Sequence, residues 1–331
     1  MEKQFDFVAI GDITTDAFIR LRDEVHTQVN KERRELCMNF GSKIPYEDVI
    51  VVPAVGNAPN AAVAAARLGL YVALVTDQGD DASAKEHRTA LEKNNVDIRF
   101  VDDHANKNTN YHYVLWFEDE RTILIKHHEY PYILPDIGTP AWIYLSSLGE
   151  NMESYHNEIA TYVKAHPKIN LAYQPGTFQI ALGYEKSKAL YEATHIFFCN
   201  TDEARNILDT TEQDSAKLAQ KISEIGPKIA VVTDGPKGLH AHDTKTGDTW
   251  FMPPYPDPKP PLDRTGAGDS FSATVSVALA RGLPLEKALQ WGPINSMSVV
   301  QYVGAQEGLL VREKLEEYLS KAPSDYIPRK I

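Results

Sequence analysis

The chain is organised around Leu262–Gly282, LDRTGAGDSFSATVSVALARG, where a tight Thr265-Gly266-Ala267-Gly268 turn runs straight into an apolar helix. Asp269 stands at the junction. The first turn of a helix carries backbone N–H groups without partners, and the helix dipole places partial positive charge there. Glycines remove the Cβ atoms that would hold an anion away from those donors. Such a turn can cradle a phosphate with backbone alone. A carboxylate beside bound phosphate has one obvious task, accepting a proton from a nucleophile. The local alternative is an ordinary loop-to-helix turn capped by Asp269.

Strands and helices alternate along the rest of the chain. Phe5–Gly11 reads as a buried first strand whose end carries Asp12 and Asp16, the polar cluster that a ligand crevice requires, or a turn stabilised by local hydrogen bonds. Arg20–Asp48 reads as an irregular, charged flap, with a short strand at Val49–Val52. Val55–Leu70, VGNAPNAAVAAARLGL, has the signals of a helix packed on a sheet: Asn57 as cap, Pro59 in the first turn and Gly69 at the end. Asn60 lies in its first turn, where its amide either reaches a ligand hydroxyl or serves only the helix start. Arg99–Val101, Tyr111–Phe117 and Thr122–Lys126 predict more exposed strands, grouped with residues 13–50 as a lid. Further strands are expected at Trp142–Leu145, Ile169–Tyr173, His195–Cys199 and Lys228–Thr233. The proline-dense Pro253–Pro261 reads as a stiff connection that aims the glycine turn. The pattern predicts an α/β fold: a three-layer, doubly wound, mostly parallel sheet as one domain over residues 1–331, with a small β-sheet lid inserted from about 13–53 and 98–127.

Charge and cysteine usage exclude several classes of function. The net charge of -12 argues against a nucleic-acid or anionic-membrane partner, since phosphate backbones demand a basic footprint. Cys37 and Cys199 form no CxxC pair, and no leader or membrane-spanning run is read in the sequence, so a cytoplasmic protein is expected. His127-His128 and His240-x-His242 lack the partners of a metal site and read as structural.

Several strand ends converge on one chemistry. Asn200 or Thr201 can cap the helix that follows, and Asp202 and Glu203 favour its positive end. Alternatively, Asn200 and Glu203 hold a hydrated Mg²⁺ beside phosphate. Walker A, protein-kinase and dinucleotide fingerprints are all absent from the sequence. Phosphoryl transfer needs positioning, charge neutralisation and a base more than covalent chemistry. The helix mouth, Asp269 and Glu203 supply those parts.

Asp263-Arg264-Thr265-Gly266-Ala267-Gly268-Asp269-Ser270-Phe271 resembles the C-terminal signature of the PfkB (ribokinase-like) carbohydrate and nucleoside kinases. Gly56–Gly69 resembles the N-terminal signature, Asn200–Glu203 the N-x-x-E motif, Val231–Gly238 the nucleotide loop and Gly11–Asp16 the first substrate turn. The resemblance implies ATP and Mg²⁺ as cofactors and Asp269 as the base, with the N–H groups of Gly266, Ala267 and Gly268 as anion hole. It implies that Asp12, Asp16, Gly56, Asn57 and Asn60 hold the acceptor, that Asn200 and Glu203 organise Mg²⁺ through water, and that Thr233, Gly235 and Gly238 line the nucleotide site. It places Asp263 and Thr265 where the family binds a monovalent cation such as K⁺. The chain departs from the pattern at Val55-Gly56, in place of paired glycines, at Thr14, in place of asparagine, and at Gly308, where a serine often completes the cation site. Asn57-Ala58-Pro59-Asn60 resembles sugar kinases, whereas Gln174–Gln179 and Tyr302–Gly308 resemble bacterial adenosine kinases. The leading expectation is an ATP-dependent kinase of a sugar's primary hydroxyl, acting as a homodimer joined through the lid. The alternatives are a ribonucleoside kinase with Tyr113 or Trp116 on the base, and a non-catalytic sugar or nucleotide sensor.

Overall fold

The apolar alternation within Phe7–Ile10 sets the layering. A computed structural model describes residues 3–22, 27–30, 35–117 and 120–331. In it, Phe7 and Ala9 enter one hydrophobic core while Val8 and Ile10 enter another. Trp142 and Tyr144 divide from Ile143 and Leu145 in the same way. Successive strand side chains point to opposite faces, so a strand buried on both reads as an unbroken apolar run. Helices Asn57–Arg67, Ala267–Ala280 and Leu285–Val299 cover the first core. Helices Glu153–Ala165, Tyr184–Ala193 and Ser215–Glu224 cover the second. Gly292 allows the helix pair of the first core to approach closely, since a Cβ there would lie 2.5 Å from the Phe271 ring.

Phe7–Ile10 pairs in parallel with Val72–Gly79 on one side and Trp142–Leu145 on the other. The sheet continues in parallel through Asn170–Tyr173, Ile196–Asn200 and Ile229–Thr233. It turns antiparallel at Leu239–Asp243 and Asp248–Met252. The helix leading into Val72–Gly79 lies on one face, and the helix leaving Trp142–Leu145 lies on the other. Where connections part in this way, a crevice opens at the carboxyl ends of the strands. Asp12 and Ser147 sit at that crevice, their backbones joined by a 2.8 Å hydrogen bond.

A separate four-stranded sheet stands beside the crevice, in the order Glu120–Leu124, Asn110–Phe117, Thr14–Leu21, Tyr46–Val55. Two expectations are corrected here. Arg20–Asp48 is not wholly irregular: Thr14–Leu21 is a strand, and its partner begins at Tyr46. The remainder of that flap falls partly on residues 23–26 and 31–34, outside the described residues. The polar start of the strand reads as a turn in sequence, yet Thr15 is buried because its hydroxyl bonds His87 Nε2 at 2.8 Å. The second correction concerns the insertion expected from about residue 98. Val101–His104 belongs to the large sheet, in register with Thr76–Gly79, so the small sheet resumes only at Asn110.

Candidate active site

The glycine turn is shaped by Asp263. Its Oδ1 accepts hydrogen bonds from Thr265 N at 2.9 Å and Thr265 Oγ1 at 2.6 Å, and its Oδ2 accepts one from Gly304 N at 2.8 Å. Gly266 follows with φ of 76°, and a Cβ there would meet Ala305 Cβ at 2.3 Å, so only glycine fits. Gly268 is different: the nearest atom to a Cβ there is Gln174 Nε2 at 3.8 Å, which leaves an open cradle. The N–H groups of Gly266, Gly268 and Asp269 meet no acceptor among the described residues. The Ala267 N–H, expected in the anion hole, reaches Arg264 O in a long 3.4 Å contact.

Asp269 opens on the crevice and is held by two side-chain amides. Asn60 Nδ2 donates to its Oδ2 at 2.9 Å and Gln174 Nε2 to its Oδ1 at 3.1 Å. Both amides are themselves fixed. Gln306 Nε2 donates to Asn60 Oδ1 at 3.0 Å; Ser272 Oγ, at 2.8 Å, and the Tyr144 hydroxyl donate to Gln174 Oε1. Burial pushes the Asp269 carboxyl above the usual carboxylate range, while the two amide hydrogen bonds act against that rise. A fixed carboxylate with a raised pKa is a stronger base, the property that proton abstraction uses.

The glycine turn separates two cavities. The first, of about 390 Å³, brings together the expected Asp12, Asp16, Gly56, Asn57, Asn60 and Asp269. Asp12 accepts hydrogen bonds from His127 Nδ1 and the Tyr132 hydroxyl, each at 2.8 Å. Asp16 lies 3.3 Å from His112 Nδ1, yet its buried Oδ1 accepts no hydrogen bond. A Cβ on Gly56 would stand 2.7 Å from Asp12 O, so the chain passes there only as glycine. Asn57 makes no cap; its Oδ1 accepts a bond from Ser147 Oγ at 3.1 Å. The second cavity, of about 430 Å³, joins Thr233, Gly235 and Gly238 to the Pro253–Pro261 segment and to Pro293 and Met297. Arg264, Ala267 and Gly268 belong to both walls.

Asn200 and Glu203 adopt the helix-cap arrangement that the sequence offers as one of two readings. They form a reciprocal cap: Asn200 Oδ1 accepts from Glu203 N at 2.9 Å, and Glu203 Oε2 from Asn200 N at 2.8 Å. Asn200 lines neither cavity, and Glu203 lines the one that holds Asp269. Burial, with Asp269 as a nearby like charge, raises the Glu203 carboxyl above its ordinary range. Tyr113 is exposed and Trp116 is buried beneath Arg20, so neither lines a cavity. Ile123, Ile125 and Phe178 form the apolar part of the first wall instead.

Sequence reasoning passed over Gln174, Gln306, Arg121, His112 and Tyr132. Gln174 directly follows the expected strand Ile169–Tyr173, and the structure places it on the wall of the first cavity. Gln306 reaches the site from the Tyr302–Gly308 loop, 246 residues away from Asn60, and nothing in that loop's sequence points to Asn60 as its partner.

A pfkB family carbohydrate kinase profile matches residues 27–312. The chain is 28% identical over 272 residues to a ribokinase of Bacillus subtilis, covering 80% of this chain and 87% of that protein. It is 25% identical over 260 residues to a nucleoside kinase of Methanothermobacter thermautotrophicus, covering 77% and 80% respectively. Its fold matches the structure of Arabidopsis thaliana ribokinase complexed with ribose and ATP at a TM-score of 0.79, with 20% identity over 96% of this chain and 99% of the other. No described helix is long and apolar enough to cross a membrane. A crevice at the strand ends, a glycine turn with free amides and a fixed carboxylate beside it accompany a family match over most of the chain: this protein is a kinase and belongs to the pfkB family of carbohydrate kinases.

Proposed function

We propose that the protein transfers the γ-phosphoryl group of ATP to a primary hydroxyl of a sugar. The carrying observation is that Ala267 and Gly268 line both cavities while Asp269 faces only the first. The acceptor lies in the first cavity, with a hydroxyl donated to the unpartnered Asp16 Oδ1 and others met by Asn57 and Asp12. Asn60 contributes mainly by holding Asp269. Asp269 takes the proton of the attacking hydroxyl, and the amides of Gly266 and Gly268 meet the phosphoryl oxygens. The nucleotide occupies the second cavity, its base against the proline segment and its phosphates directed to Gly268. The small sheet serves as a lid on one domain spanning residues 1–331.

The donor set fits Mg²⁺: Glu203 Oε2 is the oxygen that takes the Asn200 N–H, which leaves Oε1 to face the ion, and one carboxylate with waters suits it. Bound there with ATP, it would neutralise phosphate charge. A monovalent cation held by backbone oxygens of Asp263 and Thr265 lacks a serine hydroxyl to complete its site, since a Cβ on Gly308 would stand 2.6 Å from Ser298 O. A serine cannot enter there without movement, so activity is expected to be alike in K⁺ and Na⁺. The small sheet exposes Val49, Val51, Leu124 and Tyr113, and we infer a homodimer through this face. Sedimentation showing only monomer at micromolar concentration would remove that inference.

A ribonucleoside acceptor is the second reading, favoured by the apolar Ile123, Ile125 and Phe178 on the acceptor wall. ADP release measured across a panel of sugars and nucleosides tests both. Turnover with a sugar and none with nucleosides supports the first, and the reverse supports the second. No turnover with any member defeats both.

A further inference from the structure

The edge of the large sheet brings three metal-ligating side chains together outside both cavities. Val72–Gly79 and Val101–His104 run in parallel, with Asp77 opposite Asp102 and Gly79 opposite His104. Side chains two residues apart on a strand share a face, so Asp77, Asp102 and His104 point the same way. One donor atom from each lies within 4.8 Å of the other two. His104 Nε2 stands 2.6 Å from Asp77 Oδ1 and 3.6 Å from Asp102 Oδ2.

The other face of the same strands shows by contrast what this face lacks. There Asp103 pairs with Arg88 and takes a hydrogen bond from Gln78 Nε2 at 2.8 Å. Here two carboxylates oppose one another in register, and like charges so placed destabilise a strand pair. Among the described residues no lysine or arginine pairs with either, and one imidazole serves both. A divalent cation held by two carboxylates and a neutral imidazole brings the group to zero net charge. Imidazole nitrogen with carboxylate oxygen suits Zn²⁺ and its first-row neighbours, whereas Mg²⁺ prefers oxygen alone. Ligands about 2.1 Å from one tetrahedral zinc stand roughly 3.4 Å apart. The span from His104 to Asp102 already matches, and that from His104 to Asp77 needs to open by roughly 1 Å as the ion replaces their hydrogen bond. The Asp77 and His104 side chains are mostly covered, and the His104 ring packs 5.2 Å from that of Tyr130. Asp102, 74% exposed at its side chain, leaves the ion a way in and water a fourth position.

We propose that Asp77, Asp102 and His104 form a binding site for a transition-metal dication, Zn²⁺ by preference, at the edge of the large sheet. The ion fastens the end of Val101–His104 to Val72–Gly79, just before the small sheet resumes at Asn110. The site stands apart from phosphoryl transfer, and its test involves no turnover.

The test uses the whole chain, stripped of metal with a chelator and free of nucleotide. Calorimetry with zinc chloride is expected to give one site with a Kd of about 1–10 µM, weaker than a structural zinc site because the protein supplies three ligands rather than four. At a hundredfold excess over Kd, the thermal midpoint should rise by about 5 °C. Co²⁺ in the same place should show the visible absorption of a tetrahedral ion, and millimolar Mg²⁺ should not displace it. Asp102→Asn changes an exposed side chain and leaves folding intact, yet it should weaken zinc binding by about tenfold or more, since a ligand matters at least as much as its outer partners do. His104→Gln should abolish both the binding and the cobalt absorption. Asp103→Asn, on the opposite face, should bind zinc as wild type does. Equal zinc affinity in wild type and Asp102→Asn places the metal elsewhere and overturns the proposal. So does the absence of saturable zinc binding below about 1 mM, which leaves the trio as a shared ion pair only. If His104→Gln fails to fold, the Asp102→Asn comparison decides by itself.

Discussion

The two sides of the glycine turn are built on opposite principles. The side proposed for the acceptor is a polar network in which Asp12 and Asp269 are held by hydrogen bonds from other elements and Asp16 stands beside His112. The donor side is shaped largely by backbone and apolar surface: the Gly235–Lys237 turn, the Pro253–Pro261 segment, Phe271, Pro293, Met297 and Val300. Proton abstraction from a hydroxyl, the chemistry proposed for this wall, depends on direction and on charge, and the Asp269 carboxylate is held at both oxygens. A nucleotide brings its own charge and a flat base, for which a stiff apolar slot suffices. Substitutions on the acceptor wall should therefore change kcat and acceptor KM, and those on the donor wall should change KM for ATP alone.

Asp269→Asn is the strongest way to break that division. It removes the base proposed above while leaving the shape, and kcat should fall by about 10³-fold with ATP binding intact by calorimetry. Activity within a factor of ten of wild type would defeat the role of Asp269. Asp16→Ala comes next. Loss of a hydrogen bond to a charged group costs about 1.5–3 kcal/mol, so acceptor KM should rise by about 10- to 100-fold with KM for ATP unchanged. On the opposite wall, Gly238→Ala would bring a Cβ to 2.4 Å from Met252 O at a φ of 94°. It should raise KM for ATP by about tenfold, given a strain of about 1–3 kcal/mol, and leave acceptor KM as it was. A matching rise in acceptor KM would show the two walls to be one unit.

Two smaller effects sharpen the contrast through pH. The hydrogen bonds from Asn60 and Gln174 lower the Asp269 pKa against its burial. Removing one, as in Gln174→Ala, should raise that pKa, so the acid limb of kcat/KM moves to higher pH. An unmoved limb would mean that another group titrates. His87 lies behind the acceptor side, bonded to Thr15 on the small sheet and to Gln78, and burial holds its pKa down to about 4. Its folded pKa is below the unfolded one, so the stability it favours is present above pH 6.5 and is lost as pH falls toward 4. At pH 5.5 the loss is about 1 kcal/mol. The drop in thermal midpoint between pH 7 and pH 5.5 should shrink in His87→Gln; an equal drop would remove His87 from this account.

The sequence by itself determined the layers and the glycine turn at a helix start, because both are local. Short unbroken apolar runs such as Phe7–Ile10 read as strands covered on both faces, and the Thr265-Gly266-Ala267-Gly268 run reads as a tight turn into a helix. Only the tertiary structure decided who holds Asp269, because Asn60 and Gln306 lie 209 and 246 residues from their partners and no periodicity links them. It also decided that Glu203 lines the cavity of Asp269, and that the polar run from Thr14 is a buried strand rather than a turn. A side chain's role depends on what packs against it, and for Thr15 and Asn60 the deciding neighbour lies far along the chain.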